Sequence, residues 1–226
     1  MNYSASSDIA DKYKSLARGS NVIRPSAEFD QQEFINKNRK YAESLSDKLD
    51  KPLLKDYYIG KAADGGLCSA AVLQRLSTGS IPPATEDMVT VLSRVQGSAE
   101  VDNERDFLTW CSNLSTFFKK LKYVKNSKGL DLNNTQTFIN YLLDNSGKIN
   151  TKYKLFLILV FKDGTSHAIG LNLGTNRFFD PNSGIWDIEA TKDDVKNIVY
   201  AIFGLEQIRN HHGNVVDVRA ITYVDY

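Results

Sequence analysis

The chain has 226 residues, of which 42% are hydrophobic and 11% aromatic, so it is long enough to bury a substantial core. Its 28 basic and 27 acidic side chains leave a net charge of +1, which gives no electrostatic reason to expect nucleic acid or a membrane surface as a partner. Two cysteines do not form a disulfide framework, and we therefore expect a reducing compartment.

The N-terminal part is predicted to be a flexible leader, residues 1–25, followed by a single domain, residues 26–226. The leader is rich in Ser, Asp and Lys and has few large apolar side chains to bury. It contains no apolar run, so we expect neither a Sec-type signal peptide nor a membrane anchor. Residues 26–50 carry a few large apolar residues among many charges, which predicts an exposed helix capped near Ser26.

The first half of the domain is predicted to be mainly helical. Gly65-Gly66 permits a turn, and apolar residues recur at helical spacing behind it, so a helix is expected to place Cys68 in its first turn and to stop near Gly79. Further helices are predicted over residues 86–95, 104–121 and 134–143. The basic and aromatic stretch 117–125 is interpreted as the solvated end of a helix rather than as a lipid or acidic-partner site.

The period of the apolar residues changes near residue 150. A β-type apolar run covers residues 153–161, and Asp163-Gly164 is a strong hairpin dipeptide. Further strands are predicted over residues 167–173, 177–180, 186–188 and 215–223, with a helix over 192–207. Helices first and strands afterwards indicate an α+β fold with an antiparallel sheet.

Cys68 is a candidate nucleophile because a thiol at a helix N-terminus lies in the positive end of the helix dipole, which favours the reactive thiolate. A cysteine nucleophile needs a base, and the base needs a third group that orients its ring. His167 is the best placed of the three histidines. The sequence therefore predicts a pair of Cys68 and His167.

Asp180 is the candidate third group because of the expected strand register. A tight turn at residues 174 and 175 would place His167 opposite Asn182, with Asp180 diagonally across on the same face, about 7 Å away at the backbone. A register shift of one residue would turn Asp180 to the other face. The predicted pairing is thus testable by a single side-chain distance.

Other reactive residue types have ordinary interpretations. Cys111, next to Trp110, is expected to be core packing, and Trp186 is expected to pack under the loop that follows Asp180. His211 and His212 lie in a polar turn without a spaced set of Cys or His around them. We therefore expect no metal and no cofactor.

The order of these motifs resembles the YopT/AvrPphB-like effector cysteine peptidases: Gly-Leu-Cys opening a helix, then His-Ala-Ile, then Phe-Asp-Pro-Asn-Ser-Gly. The resemblance covers about residues 60–225. It implies a papain-like fold, with a helical N-terminal half packed on a C-terminal antiparallel sheet. It also implies that Cys68, His167 and Asp180 form the catalytic triad of a thiol protease.

The same resemblance implies a biological role. Such a chain is delivered by a bacterium into the host cytosol without a Sec signal, as a virulence effector or toxin, and cleaves a peptide bond in a host protein. One feature departs from papain-like enzymes, in which a side-chain amide shortly before the cysteine helps to bind the oxyanion: residues 61–65 contain no Asn or Gln. Two alternatives stay open, a glutamine deamidase of a host protein and a catalytically silent binding module.

Overall fold

The computed structural model describes residues 23–31, 33–34, 36, 67–83, 85, 88, 91–92, 95–96, 104–113, 118, 120–127, 130, 135–188 and 215–226. The helices are α1 (Cys68–Thr78), α2 (Glu104–Asn113) and α3 (Thr135–Leu142). The strands are β1 (Ile23–Ala27), β2 (Leu121–Ser127), β3 (Lys154–Phe161), β4 (Ser166–Asn172), β5 (Arg177–Asp180), β6 (Gly184–Ile188) and β7 (Val215–Asp225).

The strands form one seven-stranded sheet in the order β1-β6-β5-β4-β3-β7-β2. Every neighbouring pair is antiparallel. Strands β3 to β6 follow one another along the chain and lie side by side, whereas β7 pairs with both β3 and β2. The central strands therefore come from the second half of the chain, and the two edges, β1 and β2, come from the first half.

Both faces of the sheet are covered, as the side chains of β3 demonstrate. Leu155, Leu157 and Leu159 pack in a core cluster that includes Phe138 of α3. Phe156 packs in a second cluster, on the other face, that contains the buried residues of α1. Alternate residues of a strand point to opposite faces, so a strand buried on both sides is apolar on both, as this one is from Leu155 to Phe161.

Helix α1 packs closely on β4. Gly170 of β4 makes this possible, because a Cβ there would lie 3.0 Å from Val72 Cγ1 and 3.4 Å from Leu76 Cδ2. Both side chains are buried. The helix ends at Gly79, whose φ of 74° is left-handed and whose N–H donates to the Arg75 carbonyl. The predicted helix, with Cys68 in its first turn and its stop near Gly79, is confirmed.

Strand β1 spans the predicted N-terminal boundary between residues 25 and 26. Residues 23–25, predicted as part of a flexible leader, pair antiparallel with β6. Ser26, predicted as a helix cap, also lies in this strand, at a shift of register between Pro25 and Ala27. The strand contains Pro25, which lacks an N–H and is tolerated at a sheet edge. From residue 23 onward, the first helical residue is Gln31. The remainder of the leader and of the predicted helix lies outside the described residues.

Strand β2 corrects a second boundary. The helix predicted over residues 104–121 ends at Asn113, and Leu121–Ser127 is a strand paired with β7, so the interpretation of residues 117–125 as a helix end is wrong. Leu121 is buried, Lys122 is exposed, and the alternation continues along the strand. A period of two is the pattern of a half-buried strand, and lysines suit an exposed sheet edge.

The architecture is therefore mixed α and β around an antiparallel sheet, as expected, but the first half of the chain is not purely helical within the described residues. The predicted strands of the second half and α3 are confirmed within one or two residues. The helix predicted over 86–95 agrees with the structure at its described positions, since the backbone is helical at residues 88, 91, 92, 95 and 96. The helix predicted over 192–207 lies outside the described residues. None of the described helices is long and apolar enough to cross a bilayer.

Candidate active site

Cys68 is the first residue of α1, directly after the N-cap Leu67. The N-cap has no side-chain hydrogen bond of its own, but two distant amides bind N–H groups at this helix start. The Leu67 N–H donates to Gln31 Oε1 at 2.9 Å, and the Ala70 N–H donates to Gln96 Oε1 at 3.2 Å. The N–H groups of a first helical turn lack partners within the helix, so these amides stabilise the turn that carries the thiol.

The surroundings of Cys68 favour its thiolate. Burial by itself would raise the pKa of this thiol, but a hydrogen bond and the charge of His167, together with the backbone N–H groups of Ala168 and Ser69, lower the pKa below its usual value. Cys68 remains partly exposed and is not in a disulfide. It thus combines a lowered pKa with access, which are the two properties of a reactive cysteine.

Cys111 has the opposite character. It is fully buried in the core cluster on the α1 side of the sheet. Burial raises the pKa of its thiol to about 12. At neutral pH Cys111 is a protonated core residue, in agreement with the predicted packing role.

His167 and Asp180 form a buried pair. The two side chains join through His167 Nε2 and Asp180 Oδ1, 2.8 Å apart, with exposed fractions of 5% and 0% for the two residues. Because Nε2 is committed to the carboxylate, Nδ1 is the ring nitrogen left for Cys68. The structure therefore brings together all three residues that the sequence singled out, in the order thiol, imidazole, carboxylate.

The register of β4 and β5 places this pair. Gly170 lies opposite Phe179 and Asn172 opposite Arg177, which is the predicted register, so His167 and Asp180 are diagonal neighbours on one face. The register prediction is confirmed. The two strands are connected by a four-residue turn over residues 173–176 rather than by the tight turn that was predicted. Asn172 Oδ1 closes the turn by accepting hydrogen bonds from the N–H groups at positions 174 and 175.

The turn after Asp180 satisfies both carboxylate oxygens. The Asn182 N–H donates to Oδ1 at 3.0 Å, and the Ser183 hydroxyl donates to Oδ2 at 2.6 Å. Trp186 Nε1 donates in turn to Ser183 Oγ at 3.0 Å, and its ring stacks on Phe178 with centroids 5.9 Å apart. A fully buried carboxylate needs such partners. The predicted position of Trp186 under this turn is confirmed.

Gln31, like Gln96, is a residue of this region that no sequence motif indicated. Besides accepting from the Leu67 N–H, its backbone N–H donates to the Pro181 carbonyl at 2.7 Å, and its Nε2 donates to Asn182 Oδ1. It lies in a polar stretch with no motif or periodicity that points to a site. Only the three-dimensional position of β1 and the residues after it brings it beside α1.

Among the residues that the structure describes, no three or more His, Cys, Asp or Glu side chains come together as a possible metal site. His211 and His212 lie outside that part of the chain. Residues 61–65, in which the sequence lacks the usual oxyanion amide, lie outside it as well.

No protein-family model and no curated protein matches the chain. Among solved structures it is similar to the crystal structure of the Pseudomonas avirulence protein AvrPphB, with 14% identity and a TM-score of 0.49. The similarity covers 72% of this chain and 94% of that one.

Proposed function

We propose that this chain is a papain-like cysteine endopeptidase with Cys68 as nucleophile, His167 as general acid and base, and Asp180 as the group that orients the imidazole. The observation that carries the proposal is the continuous hydrogen-bonded series from the Cys68 thiol through His167 to the buried Asp180, together with the lowered pKa of that thiol. A buried structural cysteine has no such series, as Cys111 illustrates.

The residues divide the chemistry as follows. The Cys68 thiolate attacks the peptide carbonyl carbon, and the electron pair of the C=O bond moves to the oxygen. His167, protonated on Nδ1, gives that proton to the leaving amine as the C–N bond breaks, which leaves a thioester on Cys68. The imidazole then takes a proton from water as the hydroxide attacks the thioester, and the C–S bond breaks with the thiolate as leaving group, which restores the Cys68 thiolate and the protonated His167.

Oxyanion stabilisation in this mechanism comes from the start of α1. The Leu67 and Ala70 N–H groups have side-chain acceptors, and the Ser69 N–H contributes to the thiolate. Within the part of the chain that the structure describes, the Cys68 N–H has no hydrogen-bond acceptor and is available to a substrate oxygen. A donor at a helix N-terminus stabilises the developing negative charge.

The proposed setting is that of a bacterial effector. The motifs around Cys68, His167 and Asp180 support a role as a virulence protease or toxin that is secreted by a bacterium, enters the host cytosol and cleaves a host protein. A reducing cytosol suits a catalytic thiol, because a disulfide or an oxidised sulfur would abolish nucleophilic attack.

The test is incubation of the wild type and of Cys68→Ala with host-cell lysate, followed by mass-spectrometric identification of new protein N-termini. Cys111→Ala is the matched control, because it removes a thiol that plays no part in the mechanism. We expect new N-termini with the wild type and with Cys111→Ala, but not with Cys68→Ala. Identical N-termini in all samples contradict an endopeptidase.

Intact-mass analysis of the same samples separates the alternatives. A Cys68-dependent gain of about one mass unit without fragments identifies a deamidase, which uses the same acyl-thioester route on a side-chain amide. A biological effect that Cys68→Ala retains in full identifies a silent binding module.

A further inference from the structure

We propose that Gln31 is a positioning residue of the candidate active site: it fixes the start of α1 relative to the turn after Asp180 and thereby sets the contact between Cys68 and His167. The inference rests on the proposed function, because it assigns a role within that site.

The contacts of Gln31 connect the two sides of the site. Its Oε1 accepts the N–H of Leu67, the residue directly before the nucleophile. Its Nε2 donates to the side chain of Asn182, and the Asn182 backbone N–H donates to Asp180 Oδ1, the carboxylate oxygen that holds His167. Its own N–H donates to the carbonyl of Pro181. One residue thus bridges the nucleophile side and the carboxylate side.

The bridge acts at the end of α1 that carries the thiol. The helix is fixed to β4 at Gly170 by Val72 and Leu76, which lie one to two turns beyond Cys68. The first turn is also held by the buried Leu67 and Ala70 and by the bond from the Ala70 N–H to Gln96, but none of these contacts reaches the turn after Asp180. A small change at this end of the helix alters the distance from the thiol to the imidazole. Fixing a reactive group to within a fraction of an ångström is what positioning residues contribute.

The segment that carries Gln31 is anchored independently of its side chain. The Phe29 ring lies 5.5 Å from Phe179 and 5.7 Å from Phe34, centroid to centroid, and Phe34 is buried. Strand β1 pairs with β6 just before this segment. Substitution of Gln31 by alanine therefore removes the amide bridge and leaves the segment in place.

The test uses the alkylation rate of Cys68 by iodoacetamide between pH 5 and 9, measured by mass spectrometry, because it reports the thiolate without requiring a substrate. Gln31→Ala is expected to slow alkylation at pH 6.5 about three- to tenfold, the effect of losing one or two net hydrogen bonds, and to raise the pH midpoint. Gln74→Ala, the same substitution in the middle of α1, is the matched control and is expected to leave both values unchanged.

Asn182→Ala tests the route of the effect. It removes the side-chain partner of Gln31 but keeps the backbone N–H that binds Asp180. If Gln31 acts through this bridge, Asn182→Ala also slows alkylation, and the double variant is no slower than the slower single variant. If the two reductions in alkylation rate multiply in the double variant, Gln31 and Asn182 act independently and the bridge is overturned.

The outcomes separate this inference from the proposed function. If Cys68 of the wild type reacts no faster than Cys111, the proposed enzyme is lost. A second outcome is that wild-type Cys68 is reactive and Gln31→Ala lowers the thermal unfolding midpoint but leaves the rate and the pH midpoint of alkylation unchanged. Gln31 is then a stabilising residue, and only its positioning role is overturned.

Discussion

Ser183 Oγ donates to Asp180 Oδ2 at 2.6 Å, on the carboxylate oxygen that does not hold His167. Trp186 Nε1 directs this arrangement, since it donates to the same hydroxyl and leaves the Ser183 proton for the carboxylate. The orientation of Asp180 is therefore fixed from both sides, by the imidazole on one oxygen and by the hydroxyl on the other.

Ser183→Ala is expected to slow Cys68 alkylation at pH 7 about tenfold and to lower the free energy of unfolding by about 1–3 kcal/mol, because a buried carboxylate oxygen and the Trp186 N–H both lose a partner. Alkylation kinetics and urea unfolding measure the two effects. Ser146→Ala is the control, since its hydroxyl also binds an aspartate, Asp144, but on the exposed surface. Equal effects of the two substitutions would contradict the role of Ser183.

Cys68 is expected to be alkylated at pH 7 well before Cys111, whose pKa burial raises to about 12. The pKa of Cys68 is lowered, so its thiolate persists below the ordinary thiol range of about 8–9 and is lost only as the pH falls through the lowered value. His167→Ala removes the hydrogen bond and the charge but leaves the burial, so the pH midpoint should rise above that range. A midpoint that does not move would remove His167 from the site.

Gly184→Ala is expected to destabilise the chain by about 2 kcal/mol or more. Gly184 has a φ of 102°, and a Cβ there would overlap the Ala27 carbonyl oxygen and lie 2.8 Å from the Phe29 nitrogen. Either the turn after Asp180 or β1 must move, so Cys68 alkylation should slow as well. Gly147→Ala is the comparison: its φ of 73° is similarly left-handed, but nothing lies within 4 Å of the added atom. Urea unfolding of both variants separates the two costs, since Gly147→Ala carries only the strain of a left-handed backbone and Gly184→Ala carries that strain and the steric overlap.

Tyr141→Phe is expected to cost about 1–2 kcal/mol of unfolding free energy without changing Cys68 alkylation. The Tyr141 hydroxyl lies 2.7 Å from Thr222 Oγ1 and donates to the Ala220 carbonyl at 3.2 Å, so it joins α3 to β7. Burial raises the pKa of this hydroxyl to about 12, as expected for a group that acts as a neutral donor. Tyr226→Phe, at a largely exposed residue, should have no measurable effect on urea unfolding.

The pairing of His167 with Asp180 could be predicted from the sequence because the two residues lie close together along the chain. The two residues flank a single hairpin, and the position of the turn fixes which side chains share a face. The four-residue turn differs from the predicted one, yet the register is the same. The start of α1 at Cys68 could also be predicted from local sequence, since apolar residues at helical spacing begin just after a pair of glycines.

The missed features depend on distant partners. Strand β1 contains a proline and a single large apolar residue, Ile23, and it is a strand because the edge of β6 is available to it. Strand β2 was assigned to a helix because its lysines match a helix end as well as a sheet edge. Gln31 has no local signal at all, since its importance arises from where Leu67 and Asn182 lie.

The pairing of Ile23 with Ile188 has a consequence for the order of folding. During synthesis β1 leaves the ribosome first, yet its partner is among the last strands to be made, and β7, which β3 and β2 both require, follows still later. Contacts between such distant residues form slowly. Because Gln31 lies four residues after β1, we expect the thiol to reach its final geometry only when nearly the whole chain has been made, and we expect a partly synthesised chain to carry an ordinary cysteine.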